Sequence, residues 1–194
     1  MPEAFVNEIV NRMWDLVEGQ PDLEVYALLD AARDERVFQW LVSSGFTYSS
    51  LFAGKLPRAL AKAAPYIVEL DRGAKATSDL IEQGFGNSWG IFIKASGDLN
   101  ELRHHFRKFL KVKNGVDGKS LLFRYYDPRV MRVYLPTCNG EELRTVLDPL
   151  HRCYVENDGG SGLIAFSLEF PVIHGEEIRL VKEEFPLPGR AIGM

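Results

Sequence analysis

The chain has 194 residues, of which 46% are apolar, 26% charged and 11% aromatic, a composition that suits a folded globular protein with room for one sizeable core. Lys and Arg number 23 against 27 Asp and Glu, and a net charge of −4 argues against a general nucleic-acid binder. No apolar run approaches the roughly 20 residues that cross a bilayer, the acid-containing start MPEAFVNEIVNRMW is unlike a signal peptide, and Cys138 and Cys153, without a C-x-x-C pair, predict free thiols in a reducing cytoplasm.

Phe5, Val6, Ile9, Val10, Met13, Trp14 and Val17 recur at spacings of three and four and predict a helix over 2–17 with one buried stripe, broken at Pro21-Asp22. The run LEVYALL (23–29) predicts a strand buried on both faces and ended by Asp30. A helix is expected over about 32–42 with Val37, Phe38, Leu41 and Val42 inward, stopped by Ser43-Ser44-Gly45. After the aromatic stretch 48–52, Leu56-Pro57 opens a small Ala-rich helix with proline at its first position, and Pro65 closes it. YIVEL (66–70) reads as a strand. Thr77 or Ser78 would cap a helix ending near Gln83 with Gly84 in the left-handed conformation, and WGIFIKA (89–95) is a third strand. Asp98 with Glu101 three residues later marks a capping box for a helix that turns Leu99, Leu102, Phe106, Phe109 and Leu110 inward.

Asn114-Gly115 and Asp117-Gly118 are turn signals, so SLLFRYY (120–126) is expected as a strand, hairpin-paired with the residues that follow the helix. Asp127 as cap and Pro128 in the first turn start another helix carrying Val130, Met131 and Tyr134, and a further helix is expected over 141–147. Beyond Pro149 the segments 152–156, 163–170 and 178–181 read as strands, joined by Asn157-Asp158-Gly159-Gly160 and by Ile173-His174-Gly175. Strands alternating with helices across 23–126 predict an α/β fold, with α+β as the variant: a mixed sheet flanked by helices, with strands 23–29, 66–70, 89–95 and 120–126 in one sheet and a small C-terminal β-rich lobe. Residues 1–150 then form the α/β domain and 151–194 a short extension packed on it, too small to fold alone.

Residues 99–132 hold nine basic side chains against Glu101, Asp117 and Asp127, so this third of the chain is strongly positive and the remainder acidic. Arg103, Arg107 and Lys111 recur every four residues and would form an exposed basic ridge on one helical face, able to steer an acidic partner or simply to complement the helix dipole. In FRYYDPR (123–129) strand alternation would set Arg124 and Tyr126 on one face and Phe123 and Tyr125 on the other. Two arginines flanking a carboxylate predict an ion-pair network, with Asp127 as a cap and Asp30 as a partner for Arg124. The residues reveal no catalytic, cofactor or metal site. His104 and His105 are adjacent and point about 100° apart on a helix; His151, Cys153 and Cys138 have no zinc spacing; Gly160-Ser161-Gly162 is not a nucleophile elbow; and Gly84-Phe85-Gly86 precedes a strand instead of opening a helix.

Taken together, YALLDAA (26–32), SSLF (49–52) with a small helix and APYIVEL (64–70) after it, WGIF (89–92) and FRYYDPRV (123–130) resemble the domain of bacterial type VI secretion effector adaptors, also called effector chaperones, across about residues 23–148. The resemblance implies a non-catalytic cytoplasmic protein that binds a toxin effector and helps load it onto the valine-glycine-repeat spike protein, with no membrane or nucleic-acid partner and no cofactor. It places Asp30, Pro65, Trp89, Arg124, Asp127 and Arg129 on the family's characteristic positions, with Tyr126 inside the most specific motif, and fold maintenance ranks first for Asp30 and Asp127. Adaptors of this kind look two-lobed, with a C-terminal lobe that is often longer and helical, whereas here about 45 residues remain and read as β. Two other classes stay open. An enzyme acting on an anionic small molecule would use Arg124 and Arg129 as a clamp and His104 or His105 as acid/base in a deep pocket; a structural or regulatory module would show neither pocket nor apolar groove.

Overall fold

A computed structural model describes residues 3–16, 23–115, 117–170 and 178–188. Val17, the Pro21-Asp22 break and the Ile173-His174-Gly175 connection lie outside these. The middle of the molecule is set by strand β1 (Glu24–Asp30), six of whose seven residues are buried. Side chains alternate across a strand, so Val25, Ala27 and Leu29 face one core while Tyr26 and Leu28 face a second. A strand buried on both sides needs helices on both sides, and the rest of the chain supplies them.

The first core is covered by α1 (Glu3–Met13), α2 (Glu35–Ser43) and α4 (Lys75–Gly84), the second by α5 (Leu99–Arg107), α6 (Pro128–Tyr134) and α7 (Gly140–Leu147); α3 (Arg58–Ala61) is a single exposed turn. Between them lies a seven-stranded sheet ordered β2-β3-β1-β4-β7-β8-β9, from β2 (Tyr48–Ser50), β3 (Pro65–Glu69), β1, β4 (Gly90–Ala95), β7 (Leu150–Glu156) and β8 (Gly162–Glu169) to β9 (Arg179–Pro186). The expected α/β class, a sheet flanked by helices with strands toward the C-terminal end, is what the structure shows. Every pairing in it is antiparallel, which makes the arrangement α+β. The three C-terminal strands continue the central sheet, β7 pairing with β4 through Phe92–Tyr154 and Ile93–Cys153.

Several expectations are corrected. Of the segment 120–126 only β6 (Ser120–Leu122) is extended, and it pairs with β5 (Lys111–Lys113) in a separate two-stranded sheet. Residues 124–127 turn instead, closed by the Asp127 N–H on the Arg124 carbonyl (2.9 Å) so that Asp127 reaches the N-cap of α6, and Tyr125 and Tyr126 are both buried, with no strand alternation. Helix α2 starts at Glu35 behind the cap Asp34 and buries Val37, Trp40 and Leu41, leaving Val42 exposed, since Trp40 and not Val42 lies three residues from Val37. Helix α4 starts two residues before Thr77, whose buried hydroxyl donates to the Asp71 carbonyl (2.6 Å); Gly84 stays helical, and Gly86 (φ 82°) and Ser88 (φ 55°) take the left-handed conformation. Pro57 precedes α3 as its N-cap residue, and Phe109 is only half-buried beyond the end of α5. The Asp98–Glu101 capping box is formed as expected. No helix among the described residues is long and apolar enough to cross a membrane. Cys138 and Cys153 are both free, and burial pushes the Cys153 thiol up to about 12.

Candidate functional site

Four of the motif residues meet at the end of β1. Asp30 pairs with Pro65 across the β1–β3 ladder, and its backbone N–H donates to the Trp89 carbonyl (2.8 Å). Its carboxylate, almost wholly buried, accepts the Ala32 N–H (3.0 Å) and the Arg124 guanidinium. A buried carboxylate without such partners would be costly. Arg124 arrives from the turn after β6, so the anticipated Asp30–Arg124 pair forms between segments 94 residues apart. Burial acts against the Arg124 charge, but the Asp30 bond and charge outweigh it and raise its pKa; its buried Nε has no hydrogen-bond partner. Tyr126 is buried beside this pair, and burial first, then the Asp30 charge, pushes its phenol up to about 12.

Asp127 continues the chain of charges. Its Oδ1 accepts the Arg129 N–H (3.0 Å) and Nε (2.9 Å), its Oδ2 accepts Arg129 Nη2 (2.6 Å), and Arg124 Nη2 lies 3.9 Å from the same oxygen. The carboxylate thus caps α6 and holds both arginines. Burial would raise its pKa, but the Arg129 bonds dominate and lower it. Asp30, Arg124, Asp127 and Arg129 alternate in sign, and each cation is taken up by an aspartate of the chain itself. His104 Nδ1 bonds the Asn100 carbonyl (2.8 Å) and His105 Nε2 the Val146 carbonyl (2.9 Å).

Trp89 is buried against α4, where a Cβ on Gly84 would come within 3.1 Å of its ring, and its indole N–H donates to Asp34 (3.3 Å). Arg36 stacks over the ring and, through its hydrogen bonds, holds the Asp34 carboxyl down at about 2. The loop before Trp89 is fixed by a group that the sequence reading missed. Glu156, at the end of β7, accepts the N–H groups of Gly86 and Ser88 (3.1 Å) and the Ser88 hydroxyl (3.0 Å) with its buried carboxylate, and burial raises its pKa. The available signal was a lone acid closing the apolar run CYVE beside a Gly-rich turn. It becomes legible only once β7 lies next to β4.

The basic ridge is not formed as expected. Helix α5 ends at Arg107, Lys111 belongs to β5, and Arg103 is half-buried, donating to the carbonyls of Ser50 (2.7 Å) and Phe52 (3.3 Å). Arg103 therefore ties α5 to the edge strand β2. Arg107 and Lys111 instead border a hollow of about 450 Å³ with Leu51, Phe52, Leu110 and Leu122. A second hollow, of about 400 Å³, includes Asp148, His151, Arg152 and Phe170. Asp30, Pro65, Trp89, Arg124, Tyr126, Asp127 and Arg129 line neither, whereas Leu51 and Phe52 of the SSLF motif line the first. Among the described residues no three His, Cys, Asp or Glu side chains gather where a metal could bind.

The family model described as "Domain of unknown function (DUF4123)" matches residues 25–145, well over half of the chain and the segment that holds Asp30, Pro65, Trp89, Arg124, Asp127 and Arg129. No curated protein and no solved structure matches.

Proposed function

The chain belongs to the DUF4123 family, which is linked to type VI secretion effector adaptors, and from that premise we propose that it is a non-catalytic cytoplasmic adaptor that binds a toxin effector as a chaperone and helps load it onto the valine-glycine-repeat spike protein. The family match over 25–145 carries this reading. Two features of the molecule support it. The arginines an enzyme would aim at an anionic substrate are bonded to Asp30 and Asp127, and apolar side chains stand exposed on the β5–β6 hairpin, where a protein partner can cover them. In this reading the motif residues Asp30, Pro65, Trp89, Arg124, Tyr126, Asp127 and Arg129 shape the domain that presents the binding surface.

Co-expression of the tagged chain with the toxins and spike proteins of its own bacterium tests this. A stable complex with one toxin, and loss of delivery of that toxin alone when the gene is deleted, are the expected results. Unchanged toxin delivery on deletion, or turnover of a small anion by the purified protein, would overturn the reading.

A further inference from the structure

The hollow between the end of α5, the segment after β2 and the β5–β6 hairpin combines an apolar floor with positive charge that has no acidic partner among the described residues. Its floor is Leu51, Phe52, Leu110 and Leu122, and its volume is about 450 Å³, within the range of sites that take a ligand or an anchoring side chain. Leu51 and Leu110 are anchored in the second core, whereas Leu122 is half exposed. Register pairs Lys111 with Leu122 and Lys113 with Ser120. Directly opposed residues share a face, so this face of the hairpin presents Leu122 flanked by lysines, and Val112 and Leu121 lie on the other.

The cations here differ from those of the motif. The side chains of Arg107, Lys108, Lys111 and Lys113 make no ion pair with any described residue, and the hairpin's acid, Asp117, is taken by Lys119 (3.0 Å). Arg103, by contrast, is spent on β2. A two-stranded ribbon is marginal in water by itself, yet this one leaves Val112, Leu121 and Leu122 in solvent. An apolar hollow rimmed by charge of one sign fits an occupant that is apolar at its centre and of opposite charge at its edge. The apolar floor and the net charge of −4 fit a nucleic-acid backbone poorly.

We propose that this hollow docks an acidic segment of the partner protein, which seats one or two large apolar side chains against Phe52 and Leu122 while its carboxylates meet Arg107 and Lys111. The proposal rests on the adaptor reading and adds to it the place and chemistry of the contact. The probe is a fluorescein-labelled amphipathic peptide of leucines and glutamates, with a counterpart in which lysines replace the glutamates. Fluorescence anisotropy should show the parent binding the acidic peptide at least about tenfold more tightly than the basic one. R107E/K111E should lose about tenfold, L122D should lose a similar factor, and salt should weaken the parent's binding. The charge variants break no bond seen in the fold, and matching melting temperatures establish that they are folded. No binding by the parent, or equal binding by parent and variants, overturns the proposal. So does a concentration-dependent dimer, seen by sedimentation, that these substitutions abolish, because the occupant is then a second copy of the chain. The adaptor reading fails by a different measurement, the absence of a toxin complex with the parent; a toxin complex retained in full by R107E/K111E removes the hollow and leaves the adaptor standing.

Discussion

Asp30 is almost fully buried while the Arg124 guanidinium that neutralises it still reaches solvent, and this asymmetry decides what each substitution costs. Arg124→Ala leaves a buried carboxylate with only the Ala32 N–H, and removing one partner of a buried pair costs roughly 3–5 kcal/mol. The partial exposure of Arg124 moves the expectation to the lower end, about 3 kcal/mol. Asp127→Ala removes an N-cap whose loss costs about 0.5–2 kcal/mol. Urea denaturation should therefore rank Arg124→Ala as the more damaging, and the reverse order would mean that the pair contributes little. Glu156→Gln should also destabilise, by about 1–3 kcal/mol, because its new amide N–H group would face the Gly86 or Ser88 donors; faster amide exchange at those two residues is the readout. Acid acts on the same groups. Asp34 and Asp127 have folded pKa values below the usual carboxylate range, so their contribution is complete above about pH 4 and is lost as the pH falls toward 2. Glu156, raised by burial, works in the opposite sense, since protonation relieves the cost of its buried charge. Urea midpoints should hold steady or rise slightly from pH 7 to about 5 and fall below about 4, with a shallower acid limb in Asp34→Asn/Asp127→Asn.

At the scale of elements, β1 and β4 approach so closely that position 90 excludes a side chain. A Cβ there would lie 2.1 Å from the Leu28 carbonyl oxygen, on backbone that the β1–β4 ladder holds in place. Gly90→Ala should cost at least the upper end of the roughly 1–3 kcal/mol typical of overpacking, read as a lowered melting temperature. Arg103→Ala should release β2, a three-residue edge strand tied to α5 through the carbonyls of Ser50 at its end and Phe52 just beyond it, and speed amide exchange in β2 relative to β1, whereas Arg107→Ala should change neither. Elements fixed by local chemistry were legible in the sequence: the two-sided burial of β1, the capping box of α5, and Asp127-Pro128 at the start of α6 follow from a few neighbouring residues. The capping box of α7, Asn139 with Glu142, has the same form and went unread. What depended on distant partners was not legible. Residues 123–126 carry strand-forming aromatics, yet 124–127 turn where Arg124 meets Asp30 and Asp127 caps α6, two partners that the local sequence does not announce together. Arg103 looked like part of an exposed stripe because nothing in 99–111 announces the Ser50 and Phe52 carbonyls that receive it.

For the whole molecule, the order of the sheet decides which parts can stand without the others. β7 lies between β4 and β8, so the strands nearest the C-terminal end are joined to the middle of the fold and not to its rim. They also close both cores: Tyr154, Leu163 and Ala165 belong to the first, and Cys153, Val155, Ile164 and Phe166 to the second. The family match ends at residue 145, just before β7, so the matched segment by itself would have β4 as a bare edge, with Ile91, Ile93 and Phe92 stripped of their neighbours on both faces. Unpaired strand edges and uncovered apolar faces are what drive non-specific association. A fragment of residues 1–149 should accordingly lack a cooperative thermal transition, lose its near-ultraviolet circular dichroism and bind a hydrophobic dye, the signature of a collapsed but unpacked chain. Adding residues 150–188 back as a separate peptide should restore the transition if pairing along β4–β7 is what was missing. A fragment 1–149 that melts cooperatively without the peptide would show that the first six strands of the sequence and their helices fold by themselves, with β7, β8 and β9 laid against them.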